Sequence, residues 1–230
     1  YKRQILEIFE ISKKQGIRSV DKICHRMELG KDTYTLGKIR PEMEEELCRV
    51  LADFVRIMEG YRVDDYRATA SSAISEASNS LYVLGKIHQL TGLSVTVLSN
   101  SEQRFLSYKA LAAMEDNFNK IIEKGTAILD LDGGSFQISL FDKDALVTTQ
   151  NIRMGSLRIR ERLAGIQSET EHYEEMVEEL IWNEVSSFKK MYLKDRKIEN
   201  IMLIGDVFTD SVYQNIEEKT TKIISRENFN

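Results

Sequence analysis

Thr126-Ala127-Ile128-Leu129-Asp130-Leu131-Asp132-Gly133-Gly134-Ser135-Phe136-Gln137-Ile138-Ser139-Leu140 reads as strand, turn, strand. Thr126–Leu131 and Phe136–Leu140 are short apolar runs of strand length. Asp132-Gly133-Gly134-Ser135 between them has turn chemistry, and its two glycines leave backbone N–H groups uncovered by side chains. The polar segment Phe141-Asp142-Lys143-Asp144 then leads into a third strand over Ala145–Ile152. Density of β-branched residues and short polar connections predict three adjacent antiparallel strands. Beyond them the pattern predicts helices over Gly155–Leu163 and about Thr170–Leu193, the second with acids at its positive end. A strand over Glu199–Gly205 follows, then a tail of short helical pieces from Asp210.

Upstream, Ile5–Ile11 (ILEIFEI) alternates like a strand, and Pro41 opens a helix whose apolar positions run from Met43 to Met58 before Gly60. Tyr66–Ala70 is a weaker strand, and Ser72–Leu90 a helix ending at Thr91-Gly92. Ser94–Leu98 is a buried strand, and Ser101 to about Lys124 a long helix with a break near Asp116. The chain of 230 residues therefore divides into two α/β lobes, residues 1–120 and 121–230. Hydrophobic residues at 42% and charged residues at 30% exclude bulk disorder. With 32 Lys+Arg against 37 Asp+Glu the net charge is −5, which offers no overall attraction to nucleic acid or an anionic membrane. No apolar run approaches the roughly 20 residues of a membrane helix. Cys24 and Cys48 read as small buried residues in a reducing cytoplasm, and no Cys/His cluster has zinc spacing.

Three junctions can carry chemistry. At the first, a buried strand delivers Asp130 beside the Asp132–Ser135 turn, where backbone can approach a phosphate and an acid can hold magnesium or its water. An ordinary Asp-Gly hairpin is the competing reading. At the second, Leu98-Ser99-Asn100-Ser101-Glu102, a strand end brings an acid into a helix's first turn. Glu102 there can act as general base, or merely complement the helix end. At the third, Ala68–Ala73 places Ser71 and Ser72 between strand and helix, as a hydroxyl pair or a plain cap. His25, His88 and His172 have no partner that spacing identifies.

In this order and spacing the junctions resemble the exopolyphosphatase / guanosine pentaphosphate phosphohydrolase family, over nearly the whole chain. Ala70–Asn79 (ASSAISEASN) looks like its Ala-Thr-Ser-Ala-x-Arg-x-Ala-x-Asn segment. Thr91-Gly92-Leu93 and Ser99-Asn100-Ser101-Glu102-Gln103 look like its Thr-Gly-Ile and Ser-Gly-x-Glu-Glu. Asp130–Gln137 (DLDGGSFQ) looks like Asp-Ile-Gly-Gly-Gly-Ser-Thr-Glu, and Arg153–Arg158 matches the segment after it. The resemblance implies an actin / sugar-kinase / Hsp70-type (ribonuclease H-like) fold with mixed sheets flanked by helices. It also implies magnesium-dependent attack of water on a terminal phosphoanhydride of polyphosphate or guanosine pentaphosphate (pppGpp); composition points to the cytoplasm, and a homodimer is one open assembly. Glu102 matches the catalytic base, Asp130 the metal-side acid, Gly133, Gly134 and Ser135 a phosphate loop, and Ser71 and Ser72 a hydroxyl pair beside the cleft. The family's first phosphate loop would precede Tyr1, and the family continues past residue 230, so both ends are expected to be cut.

Departures run alongside. The arginine of the first segment is Ser75, the glutamate after the phosphate loop is Gln137, and the loop's first glycine is Asp132. Gln137 can orient water but cannot take its proton. A carboxylate about 4 Å from a phosphate repels it by roughly 4 kcal/mol per unit charge at an effective dielectric near 20, about a thousandfold in affinity. Where the family has a glycine-rich third loop, this chain has Gly205-Asp206-Val207. These changes admit a second expectation, a catalytically impaired relative that binds a nucleotide or a partner.

Overall fold

The computed structural model describes residues 3–14, 16–114, 117–165, 172–194, 196–205 and 222–225. In chain order the elements are β1 (Arg3–Ser12), β2 (Gly16–Arg26), α1 (Leu29–Leu36), α2 (Pro41–Tyr61), β3 (Ala68–Ala70), α3 (Ser72–Ser75), α4 (Ser80–Thr91), β4 (Val95–Val97), α5 (Asn100–Met114), α6 (Phe118–Ile122), β5 (Thr126–Leu131), β6 (Phe136–Asp142), β7 (Ala145–Ile152), α7 (Ser156–Leu163), α8 (Tyr173–Tyr192), β8 (Asn200–Ile204) and β9 (Lys222–Ser225). They pack as two compact units, Tyr1–Ser99 and Asn100–Asn230. Among the described residues no helix is long and apolar enough to cross a membrane.

In the first unit β1 and β2 form an antiparallel hairpin, with a bulge between Ile8 and Phe9. The sequence pattern does not show β2: its apolar residues Ile17, Val20 and Ile23 recur every third position, a helical spacing. Pairing with β1 overrides that local signal, and Ile17 and Val20 are left exposed. Strands β3 and β4 pair in parallel as a separate two-stranded sheet. Ile5, Ile8 and Phe9 of β1 and Ala68 and Ala70 of β3 line one apolar cleft of about 640 Å³, which also touches Leu47 and Phe54. Helix α2 starts at Pro41 as expected, but it runs through Gly60 and stops at Arg62, whose φ of 54° is left-handed. Its apolar face, Leu47, Cys48, Val50 and Phe54, packs with Ile39, Ile74, Val83 and Ile87.

The helix expected over 72–90 is two helices. At the break, Asn79 exchanges hydrogen bonds with the backbone of Ile39, receiving its N–H at 3.0 Å and donating to its carbonyl at 2.8 Å. The same amide donates to Glu44 at 2.9 Å, and Lys86 donates to the other Glu44 oxygen at 3.3 Å. A buried carboxylate thereby has both oxygens satisfied.

The second unit holds a five-stranded sheet in the order β7-β6-β5-β8-β9. Strands β5, β6 and β7 form the expected antiparallel meander, β8 lies parallel to β5, and β9 is antiparallel to β8. Lys222–Ser225 is thus a strand where short helical pieces were expected; the rest of that tail lies outside the described residues. Alternate residues of the central strands enter different cores. Ile128 packs with Met202, Phe141, Leu111, Phe118 and Ile122, whereas Leu129 joins Ile138, Leu140 and Phe188. Helices α5 and α6 therefore cover one face of this sheet, which is why the compact units divide at Ser99/Asn100 rather than near residue 120. The rings of Tyr108 and Phe118 meet Phe141 edge-on, at 5.3 and 6.4 Å between centroids.

One cysteine also differs from expectation. Cys48 is buried in the first core, but Cys24 is exposed, because Ile23 takes the inward position on β2. Burial pushes the Cys48 thiol up; nearby Lys86 pulls it the other way and Glu44 adds to the rise.

Two outcomes follow from this packing. Leu111→Ala should destabilise the second unit by about 2–5 kcal/mol. In hydrogen exchange β5 and β6 should lose protection while α2 and α4 keep theirs; equal loss in both units would contradict the division at residue 99. Iodoacetamide should label the folded protein once, at Cys24, and reach Cys48 only on unfolding, since the thiolate is the nucleophile. Rapid labelling at both positions would show the first core to be open.

Candidate functional site

The Asp132–Ser135 turn joins β5 to β6 and is closed by the Asp132 N–H donating to the Ser135 carbonyl at 2.9 Å. Its carbonyls face the start of α7. Ser156 N–H donates to Asp132 O at 3.1 Å, and Leu157 and Arg158 N–H both donate to Gly133 O at 3.0 Å. Arg158 Nε adds a bond to Gly134 O at 3.0 Å. These bonds absorb N–H groups that a helix start otherwise leaves unpaired. The turn rests directly on Gly155: a Cβ there would lie 2.3 Å from Asp132 O and 2.4 Å from Ser135 N. Gly205, at φ +124°, meets the end of β5 equally closely, 2.1 Å from Leu131 O for an added Cβ. Asp206 and Val207, the acid and its neighbour in the third segment, lie outside the described residues. Among the described residues no backbone or side-chain acceptor takes the amides of Gly133 and Gly134. Backbone N–H groups arranged this way suit an anion.

Strand register assembles the rest. Asp130 lies opposite Gln137, and Gln137 opposite Asn151, so one polar row crosses β5, β6 and β7 at the end where the turn emerges. The next row on the same face holds Ser139 and Thr149, whose hydroxyls are 2.8 Å apart. Tyr108 of α5 donates its hydroxyl to Ser139 and pins the helix over this face. Burial pushes the Tyr108 hydroxyl pKa up, with Asp130 adding to the rise against the opposing pull of Ser139, Thr149 and Arg104, so it remains a donor.

The first turn of α5 closes the site. Asn100, Gln103 and Arg104 share one helical face and, with Asp130, Asp132, Ser135, Gln137 and Asn151, line a cavity of about 10 Å³. That is about the space of one water. Gln103 Nε2 donates to Asp132 Oδ2 at 3.1 Å across it. Glu102 is exposed on the neighbouring face of the same turn and does not line this cavity.

The structure thus brings Asp130, Asp132, Ser135 and Gln137 together, beside the glycine turn. Ser71, Ser72 and Ser75 belong to the first compact unit. Ser71 is the N-cap residue of α3, Ser72 is buried with its hydroxyl 3.0 Å from that of Tyr34, and Ser75 is exposed. Sequence reasoning missed Asn100, Gln103, Arg104 and Asn151. The first three could have been found from their shared helical face, whereas Asn151 depends on the register of β6 with β7.

The donor set is one of hard oxygens: carboxylates from Asp130 and Asp132, amide oxygens from Gln137 and Asn151, and the Ser135 hydroxyl. Magnesium is characteristically held by one or two carboxylates together with waters and substrate phosphates, and these residues fit it on those terms. Among the described residues no group of three or more His, Cys, Asp or Glu side chains forms an all-protein metal cage.

Comparison with known proteins places this architecture. The exopolyphosphatase of Cytophaga hutchinsonii superposes with a TM-score of 0.72 at 19% identity, over 87% of this chain and 62% of that one. The bifunctional 3-dehydroquinate synthase/phosphatase of Fusobacterium nucleatum is 21% identical over 84% of this chain and 29% of its own length. Exopolyphosphatase 1 of Mycobacterium leprae is 29% identical over 46% of this chain and 30% of its own. The chain spans less than a third of these curated relatives and about three fifths of the solved one. The fold is of the actin / sugar-kinase / Hsp70 type, with mixed sheets flanked by helices. The profile of the Ppx/GppA phosphatase family matches residues 8–230, and the chain belongs to that family.

Proposed function

We propose that this protein is a magnesium-dependent phosphoanhydride hydrolase acting on the terminal phosphate of polyphosphate or pppGpp in the cytoplasm. The observation that carries the reading is the convergence of Asp130, Gln137 and Ser135 on one cavity beside a glycine turn whose Gly133 and Gly134 amides have no acceptor among the described residues. In this reading Gly133 and Gly134 N–H groups and the Ser135 hydroxyl receive phosphate oxygens. Gln137, fixed between Asp130 and Asn151 by strand register, orients water through hydrogen bonds. Glu102, exposed on the first turn of α5 beside Gln103, is the candidate base, reaching the attacking water directly or through one further water. Asp130 holds magnesium, with Asp132 as its neighbour, and the ion when bound supplies charge neutralisation at the phosphates.

A second reading, an impaired relative that binds a nucleotide or partner without turnover, is favoured by one observation. Asp132 puts a carboxylate into the phosphate turn and engages Gln103 instead of a cation. Orthophosphate release from polyphosphate and pppGpp separates the two: hydrolysis of either establishes the first, and none with either substrate leaves the second.

Glu102→Gln should lower phosphate release about a hundred- to ten-thousandfold with an unchanged melting temperature, because the side chain is exposed. Turnover at the parental rate would remove Glu102 from the base role. Asp132→Gly should weaken binding of tripolyphosphate in calorimetric titrations containing magnesium and leave the magnesium-free titration unweakened. Tighter binding with and without magnesium would instead show Asp132 to be a block, as the impaired reading requires.

A further inference from the structure

We infer that Arg104 is the anion-binding cation of this site, a specificity residue for phosphate chains; the inference rests on the phosphoanhydride reading above. Among the described residues lining the cavity Arg104 is the sole cation, set against two carboxylates, Asp130 and Asp132. A substrate bearing several phosphate charges meets a net negative wall there unless a protein cation or a metal ion faces it.

Arg104 is held but not neutralised. One guanidinium nitrogen donates to Ser101 Oγ at 3.0 Å, one turn back on α5. Among the described residues it makes no ion pair, although the two aspartates line the same half-buried cavity. Arg158, the other arginine beside the turn, has its Nε committed to the Gly134 carbonyl. An arginine has five N–H donors in a planar fork, and one bond to a serine leaves most of them to a ligand. The fork matches two phosphate oxygens at once, which an ammonium cannot do. The serine bond fixes the side chain in advance and reduces the rotamer entropy lost on binding. Gln103, the preceding residue, is the one that satisfies Asp132, so the adjacent helix positions divide the work: an amide for the protein's own carboxylate, a guanidinium for the ligand's anion.

The test is calorimetric titration of the protein with tripolyphosphate, in chelator and in magnesium. Arg104→Gln should weaken binding about tenfold or more in both conditions, since charge-assisted bonds contribute about 1.5–3 kcal/mol. It should also flatten the dependence of affinity on salt. Arg104→Lys keeps the charge but loses the fork and should recover only part of the affinity. Ser101→Ala keeps the guanidinium but frees it, and should weaken binding by a smaller factor than Arg104→Gln. Parental affinity in Arg104→Gln, with the parent binding normally, would overturn the inference and leave the hydrolase reading standing. A parent that binds no tripolyphosphate in either condition would overturn both.

Discussion

The candidate site depends on one close contact, the seating of the Asp132–Ser135 turn on the backbone at Gly155. An added Cβ at that glycine would overlap three turn residues at 2.3–2.4 Å, so no other side chain can occupy it without moving the turn. The contact aligns the first amides of α7 with the turn's carbonyls at 3.0–3.1 Å. The carbonyls of Asp132 and Gly133 are taken by α7, and among the described residues no acceptor takes the N–H groups of Gly133 and Gly134. A polar loop can be half-buried here because its acceptors are satisfied from behind, leaving the donor side for a ligand. Gly205 plays the same part at the end of β5, where its left-handed φ also excludes a side chain.

Charge governs what that donor surface can accept. Among the described residues two carboxylates face a cavity with one arginine, and the amides of Asn100, Gln103, Gln137 and Asn151 can present either an oxygen or an N–H. Such a set is balanced for a divalent cation accompanied by an anionic ligand better than for either alone. The Gln103–Asp132 bond holds the carboxylate at a defined position in the cavity wall, so its charge acts on the ligand from a fixed place.

Position along α5 matters as much as residue type. Tyr108 anchors the helix to Ser139 and Thr149, and one turn earlier the same face presents Arg104 to the Asp130–Gln137–Asn151 row. Packing of Leu111, Phe118 and Ile122 against the five-stranded sheet carries the helix into the second unit. The polar first turn of α5 and the phosphate-turn candidate are therefore parts of the same compact unit.

The sequence by itself determined the meander over Thr126–Ile152, the Asp132–Ser135 turn within it, the start of α2 at Pro41 and the family. These are local signals: strand-length apolar runs, turn glycines and a proline whose missing N–H costs nothing at a helix start. Tertiary structure alone decided what pairing and packing impose from a distance. Pairing with β1 made a strand of Gly16–Arg26 despite its three-residue apolar spacing. The exchange between Asn79 and the Ile39 backbone broke a helix that periodicity would have continued. Docking on the sheet moved α5 and α6 into the second unit, and with them Gln103 and Arg104 into the site. Asp130 and Gln137 were legible as neighbours of a turn. That they form one row with Asn151 depends on strand register, which lies in hydrogen bonds between segments and not in the periodicity of any one of them.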